Sequence, residues 1–200
     1  MKAVIYIYHM ENVDRKQRRR LGEQWLYQAV AAYGHPEVTA QSCPILRAEK
    51  GKPYFEACPQ IHFSISHSKA YWVCAVADGP VGLDLQYHKE GRLEGIPGRF
   101  FHPREAAWLE SQNDSMRRDA FFEIWAAKES YVKWTGDGID RHFREFSVTD
   151  ENGLLDRCGD ACFWRSSLFK EYSLCLCGGE PWDEVRVVQT AETDAEAKDW

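Results

Sequence analysis

Two short stretches carry side chains able to hold a divalent cation beside a phosphate. In Trp125-Ala126-Ala127-Lys128-Glu129-Ser130-Tyr131-Val132-Lys133 a carboxylate sits among bulky apolar residues, and Trp125, Glu129 and Lys133 share one helical face at successive i, i+4 steps. A carboxylate in such surroundings is costly unless it is paired or bound to a cation. The residues alone allow two readings: a Glu129–Lys133 pair on a helix surface, or a metal ligand or base with a lysine beside it. In Val81-Gly82-Leu83-Asp84-Leu85-Gln86 the period of two sends Val81, Leu83 and Leu85 to one side. Gly82, Asp84 and Gln86 then share the other, with neighbours ~6.4–6.8 Å apart. A glycine for close backbone approach followed by two oxygen donors suits Mg²⁺, which takes hard oxygen ligands and leaves its other positions to water and phosphate. A strand whose polar side meets solvent has the same pattern.

The elements that must position these side chains follow from periodicity and turn chemistry. Residues 120–135 carry Phe121, Phe122, Ile124, Trp125, Tyr131, Val132 and Trp134 and stop at Gly136, which predicts a largely buried helix. Strands are predicted at 2–8, from 61, at 70–77 and at 81–86, with a turn at Asp78-Gly79-Pro80. A helix begins near Asn12-Val13-Asp14 and runs to Gly34, with Leu21, Trp25, Leu26, Ala29, Val30 and Tyr33 at helical spacing. Its first turns hold Arg15, Lys16, Arg18, Arg19 and Arg20, either a solvated basic face or a site for a phosphorylated ligand. Residues 35–48 read as a loop, and Gly51-Lys52-Pro53 as a turn presenting a lysine.

Further along, residues 92–101 read as a connection broken at Pro97-Gly98, and His102-Pro103-Arg104-Glu105 as the start of a helix to about Gln112, with Glu105 stabilising its first turn. Asn113-Asp114-Ser115 reads as a break. Strands are predicted at 143–149, 158–164, 172–177 and 184–189, with a hairpin turn at 150–153 and a frayed acidic end over 191–200. Strand, long helix and strands occur in both halves, which permits two similar lobes.

With 200 residues, 44% of them hydrophobic, the chain can bury a real core. No window reaches the ~18–20 apolar residues of a membrane span, and Met1-Lys2-Ala3-Val4 leads into a strand rather than a cleavable leader, so a cytoplasmic protein is expected. Seven cysteines without Cys-x-x-Cys spacing argue for reduced thiols rather than a disulfide framework or a zinc site. A net charge of -6 disfavours general nucleic-acid binding.

Gly51-Lys52-Pro53, Phe63-Ser64-Ile65-Ser66-His67-Ser68, Val81 to Gln86, Arg99-Phe100-Phe101 with Glu105, and Trp125 to Lys133 together resemble the Sfp-type 4′-phosphopantetheinyl transferases in residue type, order and spacing. Each motif alone is weak, and five in register are strong. The likeness is clearest over 51–138, extends to 18–22, and is slight beyond 148.

The resemblance implies an α+β fold of two pseudo-symmetric α/β lobes, here about 1–80 and 81–200, with the active site at their junction. It implies transfer of 4′-phosphopantetheine from coenzyme A to a serine of an apo acyl or peptidyl carrier protein, with Mg²⁺. Position by position, Asp84 and Glu129 look like metal ligands and Glu129 like the general base; Lys133 resembles the lysine that reaches the transferring phosphate. Lys52, Ser66 and His67 match residues that hold coenzyme A phosphates, Arg18 and Arg19 fall near the nucleotide end, and Glu105 matches an acid that supports the site. Gln86 departs from the pattern, because many relatives carry a second acid there; an amide oxygen or a water it holds can still serve the ion, with less attraction. A monomer is expected. The competing readings are a non-catalytic module binding coenzyme A or a carrier protein, and a metal-dependent nuclease built on Asp84, Glu129 and Lys133.

Overall fold

Alternation places two different apolar faces on the first strand, and the whole architecture follows from burying both. In the computed structural model, which describes residues 1–10, 13–91, 93, 95–138, 141–166 and 170–190, β1 (Lys2–His9) sends Val4, Tyr6 and Tyr8 to one core and Ala3, Ile5 and Ile7 to another. α1 (Arg15–Tyr33) covers the first face with Trp25, Leu26, Ala29 and Val30. Its N-cap is Asp14, whose carboxylate accepts the Lys16 and Gln17 amides, while the Gln17 side chain closes a capping box. Gly34 at φ +133° ends it. The start expected at Asn12 lies outside the described residues, as do positions 92 and 94 of the expected connection and the expected acidic end at 191–200.

A short hairpin of β2 (Ile45–Arg47) and β3 (Pro53–Phe55) follows, then β4 (His62–Ser68), β5 (Tyr71–Ala77) and β6 (Val81–Tyr87). The second half holds α2 (Ile96–Phe100), α3 (Pro103–Ser111) and α4 (Asp114–Thr135), then β7 (Thr149–Asp150), β8 (Gly153–Leu154), β9 (Arg157–Cys158), β10 (Ala161–Ser166), β11 (Tyr172–Gly178) and β12 (Glu184–Gln189). The larger sheets have the orders β12-β1-β5-β4 and β6-β11-β10-β9. One topology therefore occurs twice: β1, α1, β4, β5 and β6, α4, β10, β11 each place their last strand between the first and the second. The chain passes from one sheet to the other between β5 and β6, and β12 returns to pair in parallel with β1. Val73, Ala75, Val81, Leu83, Leu85, Leu174 and Leu176 fill the core between the sheets, and α4 covers the outer face of the second sheet with Phe121, Phe122, Ile124, Ala126 and Ala127. The fold is α+β.

Several sequence expectations are corrected. Cys43 and Cys58 form a disulfide, with Cα atoms 6.3 Å apart, because the β2–β3 hairpin brings the segments flanking it together; Cys74, Cys158, Cys162, Cys175 and Cys177 remain free thiols. Residues 45–47 within the expected loop are strand β2. Pro97 and Gly98 do not break a helix but lie inside α2, where a first-turn proline needs no N–H. The break at 113–115 shrinks to Asn113, which caps α4 by accepting the Met116 amide, so the helix begins at Asp114 rather than near 120. In place of a strand at 143–149 there is a 3₁₀ turn, Arg141–Arg144, and only Thr149 enters β7. The Phe146 carbonyl and Val148 amide are committed to a buried ion pair described below and not to a neighbouring strand. The expected strand at 158–164 is split into β9 and β10 by a turn at Gly159, φ +59°.

Candidate active site

The site lies where the edges of the two large sheets meet. β4 turns Phe63 and Ile65 toward α1 and leaves Ser64, Ser66 and Ser68 on its other side. These small hydroxyls let the backbone of β6 approach, and they take over its free edge: Leu83 N–H donates to Ser64 Oγ at 2.9 Å, Leu85 N–H to Ser66 Oγ at 3.2 Å, and Tyr87 N–H to Ser68 Oγ at 2.9 Å. An edge strand's exposed amides are thereby satisfied by side chains in place of another strand. From the outer face α4 closes in at Gly82, where a Cβ would land on the backbone of Ser130 and Trp134. Only glycine permits that approach.

Asp84 is 3% exposed and is surrounded by donors. Its Oδ1 accepts from Lys133 Nζ at 2.7 Å and from Ser66 Oγ at 2.8 Å, and its Oδ2 accepts from Gln86 Nε2 at 2.7 Å. Lys133 also donates to the carbonyls of Leu83, at 3.0 Å, and Ile65, at 3.3 Å, so one ammonium ties α4 to β6 and β4. Glu129, one helical turn before Lys133, is buried in the same cavity. Burial and then the charge of Asp84 push its carboxyl up to about 7, with Lys133 and the Trp125 side chain acting the other way. A carboxyl raised by burial and by a neighbouring acid is the electrostatic signature of a site that a cation or a proton would relieve.

That cavity, about 560 Å³, is lined by Lys52, Ser66, His67, Asp84, Gln86, Glu129 and Lys133, all singled out from sequence. It adjoins a second cavity of about 640 Å³ lined by Arg18, Arg19 and His67, and Arg47, Pro53, Ile65 and His67 border both. Lys52 reaches from the turn before β3 to the Trp134 carbonyl at 2.8 Å, near the C-terminus of α4, where a cation is favoured. Its burial lowers the ammonium's pKa. The His67 imidazole is likewise lowered, by burial first and then by Lys133 and Arg18. Arg18, Arg19, Arg47, Lys52 and Lys133 make the joined cleft basic around a small acidic centre, an arrangement suited to a ligand with several phosphates.

Glu105 stands apart from the cavity lining. It is fully buried against Lys128, whose Nζ lies 2.9 Å from Glu105 Oε1 and 2.7 Å from the Phe146 carbonyl, and 3.9 Å from the Phe146 ring centroid. Glu105 also accepts the amides of His102 at 2.8 Å and Val148 at 2.7 Å. Every partner of this pair belongs to α3 and its N-cap, to α4 or to the segment after α4, so it fixes the helix turn next to Glu129. Sequence reasoning missed Lys128 and Arg47. The signal for Lys128 was its place on the stripe Phe121, Trp125, Lys128, Val132, where helical spacing puts apolar residues.

Among the described residues no three His, Cys, Asp or Glu side chains gather as a metal cluster. The acidic centre has two carboxylates, Asp84 and Glu129, and the Gln86 amide. Nor is any helix of the described residues long and apolar enough to cross a membrane.

Comparison with known proteins places this geometry in a family. A model of the 4′-phosphopantetheinyl transferase superfamily matches residues 80–193, further toward the C-terminus than the motifs alone reach. A 4′-phosphopantetheinyl transferase of Bacillus subtilis is 34% identical over 181 residues, covering 87% of this chain and 78% of that protein. The transferase gsp of Aneurinibacillus migulanus is 42% identical over 91 residues, 46% of this chain and 37% of its own. The transferase Sfp of Bacillus subtilis strain 168 is 37% identical over 100 residues, 50% of this chain and 44% of its own. With the match spanning β6, α4 and β11, which build the acidic centre and its support, the chain belongs to the 4′-phosphopantetheinyl transferase superfamily.

Proposed function

We propose that this chain is a cytoplasmic, monomeric enzyme that transfers the 4′-phosphopantetheine group of coenzyme A to a serine hydroxyl of an apo acyl or peptidyl carrier protein of fatty-acid, polyketide or peptide synthesis. The observation that carries the reading is the meeting of Asp84 from β6 with Glu129 and Lys133 from α4 in one cavity that opens into a basic cleft. In the reaction the carrier serine oxygen bonds to the β-phosphorus of coenzyme A, the bond from that phosphorus to the bridging oxygen breaks, and adenosine 3′,5′-bisphosphate leaves with the bond electrons.

Each side chain has a task that its position supports. Glu129 takes the proton of the serine hydroxyl, as a carboxylate lining the cavity that receives that hydroxyl can do. Lys133, Lys52 and His67 surround the diphosphate, and Arg18 and Arg19, in the adjoining cavity, hold the nucleotide end. Phosphoryl transfer rests on positioning and charge stabilisation, which is what a ring of cations in a partly buried cleft supplies. The donor set also fits Mg²⁺. Two carboxylates and an amide oxygen are hard ligands, and burial together with the charge of Asp84 disfavours an ionised Glu129 unless a cation joins it. Asp84, Gln86 and Glu129 would hold the ion, which when bound neutralises charge on the diphosphate oxygens.

The test is to incubate the protein with coenzyme A, Mg²⁺ and an apo carrier domain and weigh the carrier. A gain of one phosphopantetheine group on its serine supports transfer. An unchanged carrier mass across a panel of carrier domains, with coenzyme A binding intact, would leave a binding module instead.

A further inference from the structure

Ser64, Ser66 and Ser68 make the same contact with β6, each accepting a backbone amide nineteen residues further along, yet one of them does more. A serine hydroxyl has one proton to give and two lone pairs. At Ser66 a lone pair takes the Leu85 amide at 3.2 Å and the proton goes to Asp84 Oδ1 at 2.8 Å, with Ser66 and Asp84 both buried. The two bonds constrain each other: an amide docked on the oxygen limits the directions left for the O–H, and accepting that amide makes the O–H a better donor.

We propose that Ser66 is a positioning residue, which holds the Asp84 carboxylate in its working orientation by coupling it to the register between β4 and β6. Asp84 otherwise relies on two longer, rotatable side chains, Lys133 and Gln86. Ser66 is the short, rigid contact, and it comes from the opposite sheet. The carboxylate is therefore set by the junction of the two sheets and not by β6 alone. The hydroxyl proton goes to Asp84; the coenzyme A phosphate contact that the resemblance implies for Ser66 is a different role, and kcat and KM tell the two apart.

The inference rests on the proposed transferase reaction, and Ser68 supplies the control. Ser66→Ala and Ser68→Ala each leave one β6 amide without its hydroxyl partner, so both lower the thermal midpoint, but only the first frees Asp84. The expected result is a fall in kcat of about 10- to 100-fold for Ser66→Ala, the equivalent of one hydrogen bond to a charged group, with the KM for coenzyme A little changed. Ser68→Ala keeps the wild-type kcat, and Ser66→Thr, which retains the hydroxyl, recovers most of the loss. Equal kcat in the two alanine variants would overturn the proposal, as would a loss at Ser66→Ala confined to the KM for coenzyme A. If the wild-type protein transfers nothing, it is the reaction that fails; if wild type transfers and Ser66→Ala matches Ser68→Ala, only the positioning role does.

Discussion

Gln86 Nε2 stands 2.7 Å from Asp84 Oδ2, so the side chain two residues beyond the strand aspartate turns its amide N–H₂ to the carboxylate and stabilises it as a donor. A glutamate at 86 would place a second negative charge against Asp84. Gln86→Glu is therefore expected to act with opposite signs in the two states of the site. Without metal it lowers the thermal midpoint by like-charge repulsion, and with metal it reduces the Mg²⁺ concentration needed for half-maximal transfer. An unchanged Mg²⁺ requirement would remove position 86 from the ion.

The Lys128–Glu105 pair is buried on all sides, at 0% exposure for both side chains. Lys128→Met leaves a carboxylate uncompensated in the core and is expected to cost about 3–5 kcal/mol in urea unfolding. The exposed pair Lys2–Glu184, 3.9 Å apart, gives the contrast: its removal costs under about 1 kcal/mol. Wild-type stability in Lys128→Met would show that Glu105 is satisfied by the His102 and Val148 amides alone.

Gly82 sets the distance between β6 and α4, and hence between Asp84 and the helix that carries Glu129 and Lys133. Gly82→Ala forces a methyl against the backbone of Ser130 and Trp134, which a helix cannot yield locally. Both unfolding midpoint and transfer rate are expected to fall. Gly98→Ala, where the added carbon meets nothing within 4 Å, is the neutral comparison. Normal transfer in Gly82→Ala would mean that the helix can shift without disturbing the acidic centre.

His67 has its pKa lowered by burial, Lys133 and Arg18, against a smaller opposing effect of Asp84, so the free protein holds a neutral imidazole near pH 7. A bound diphosphate brings negative charge and raises that value. The ligand-bound state then binds more protons than the free state, and coenzyme A affinity increases as pH falls from the raised bound-state value toward the free-state value, which lies below the usual imidazole range. Calorimetry in two buffers of different ionisation enthalpy should show proton uptake at about pH 6, absent in His67→Asn. Uptake unchanged in that variant would assign the proton to another group.

The parts of the site read from sequence are those governed by local periodicity. Period two in β6 put Gly82, Asp84 and Gln86 on one side, and helical spacing put Glu129 next to Lys133. What could not be read is set by partners distant in sequence. The serine contacts with β6 need the angle between two sheets, and the disulfide Cys43–Cys58 needs the hairpin that brings its ends together. Residues 143–149 carry enough apolar side chains for a strand, yet Lys128 and Glu105 claim the Phe146 carbonyl and the Val148 amide, which a neighbouring strand would otherwise need. In these cases tertiary demand overrode a local preference.

The sharpest measurement is single-turnover transfer by Glu129→Gln, with coenzyme A binding followed separately. Loss of the base predicts a fall in rate of about 10²- to 10⁴-fold while coenzyme A still binds. Near-wild-type turnover in that variant would contradict the account and leave the convergence of Asp84 and Glu129 without a chemical role.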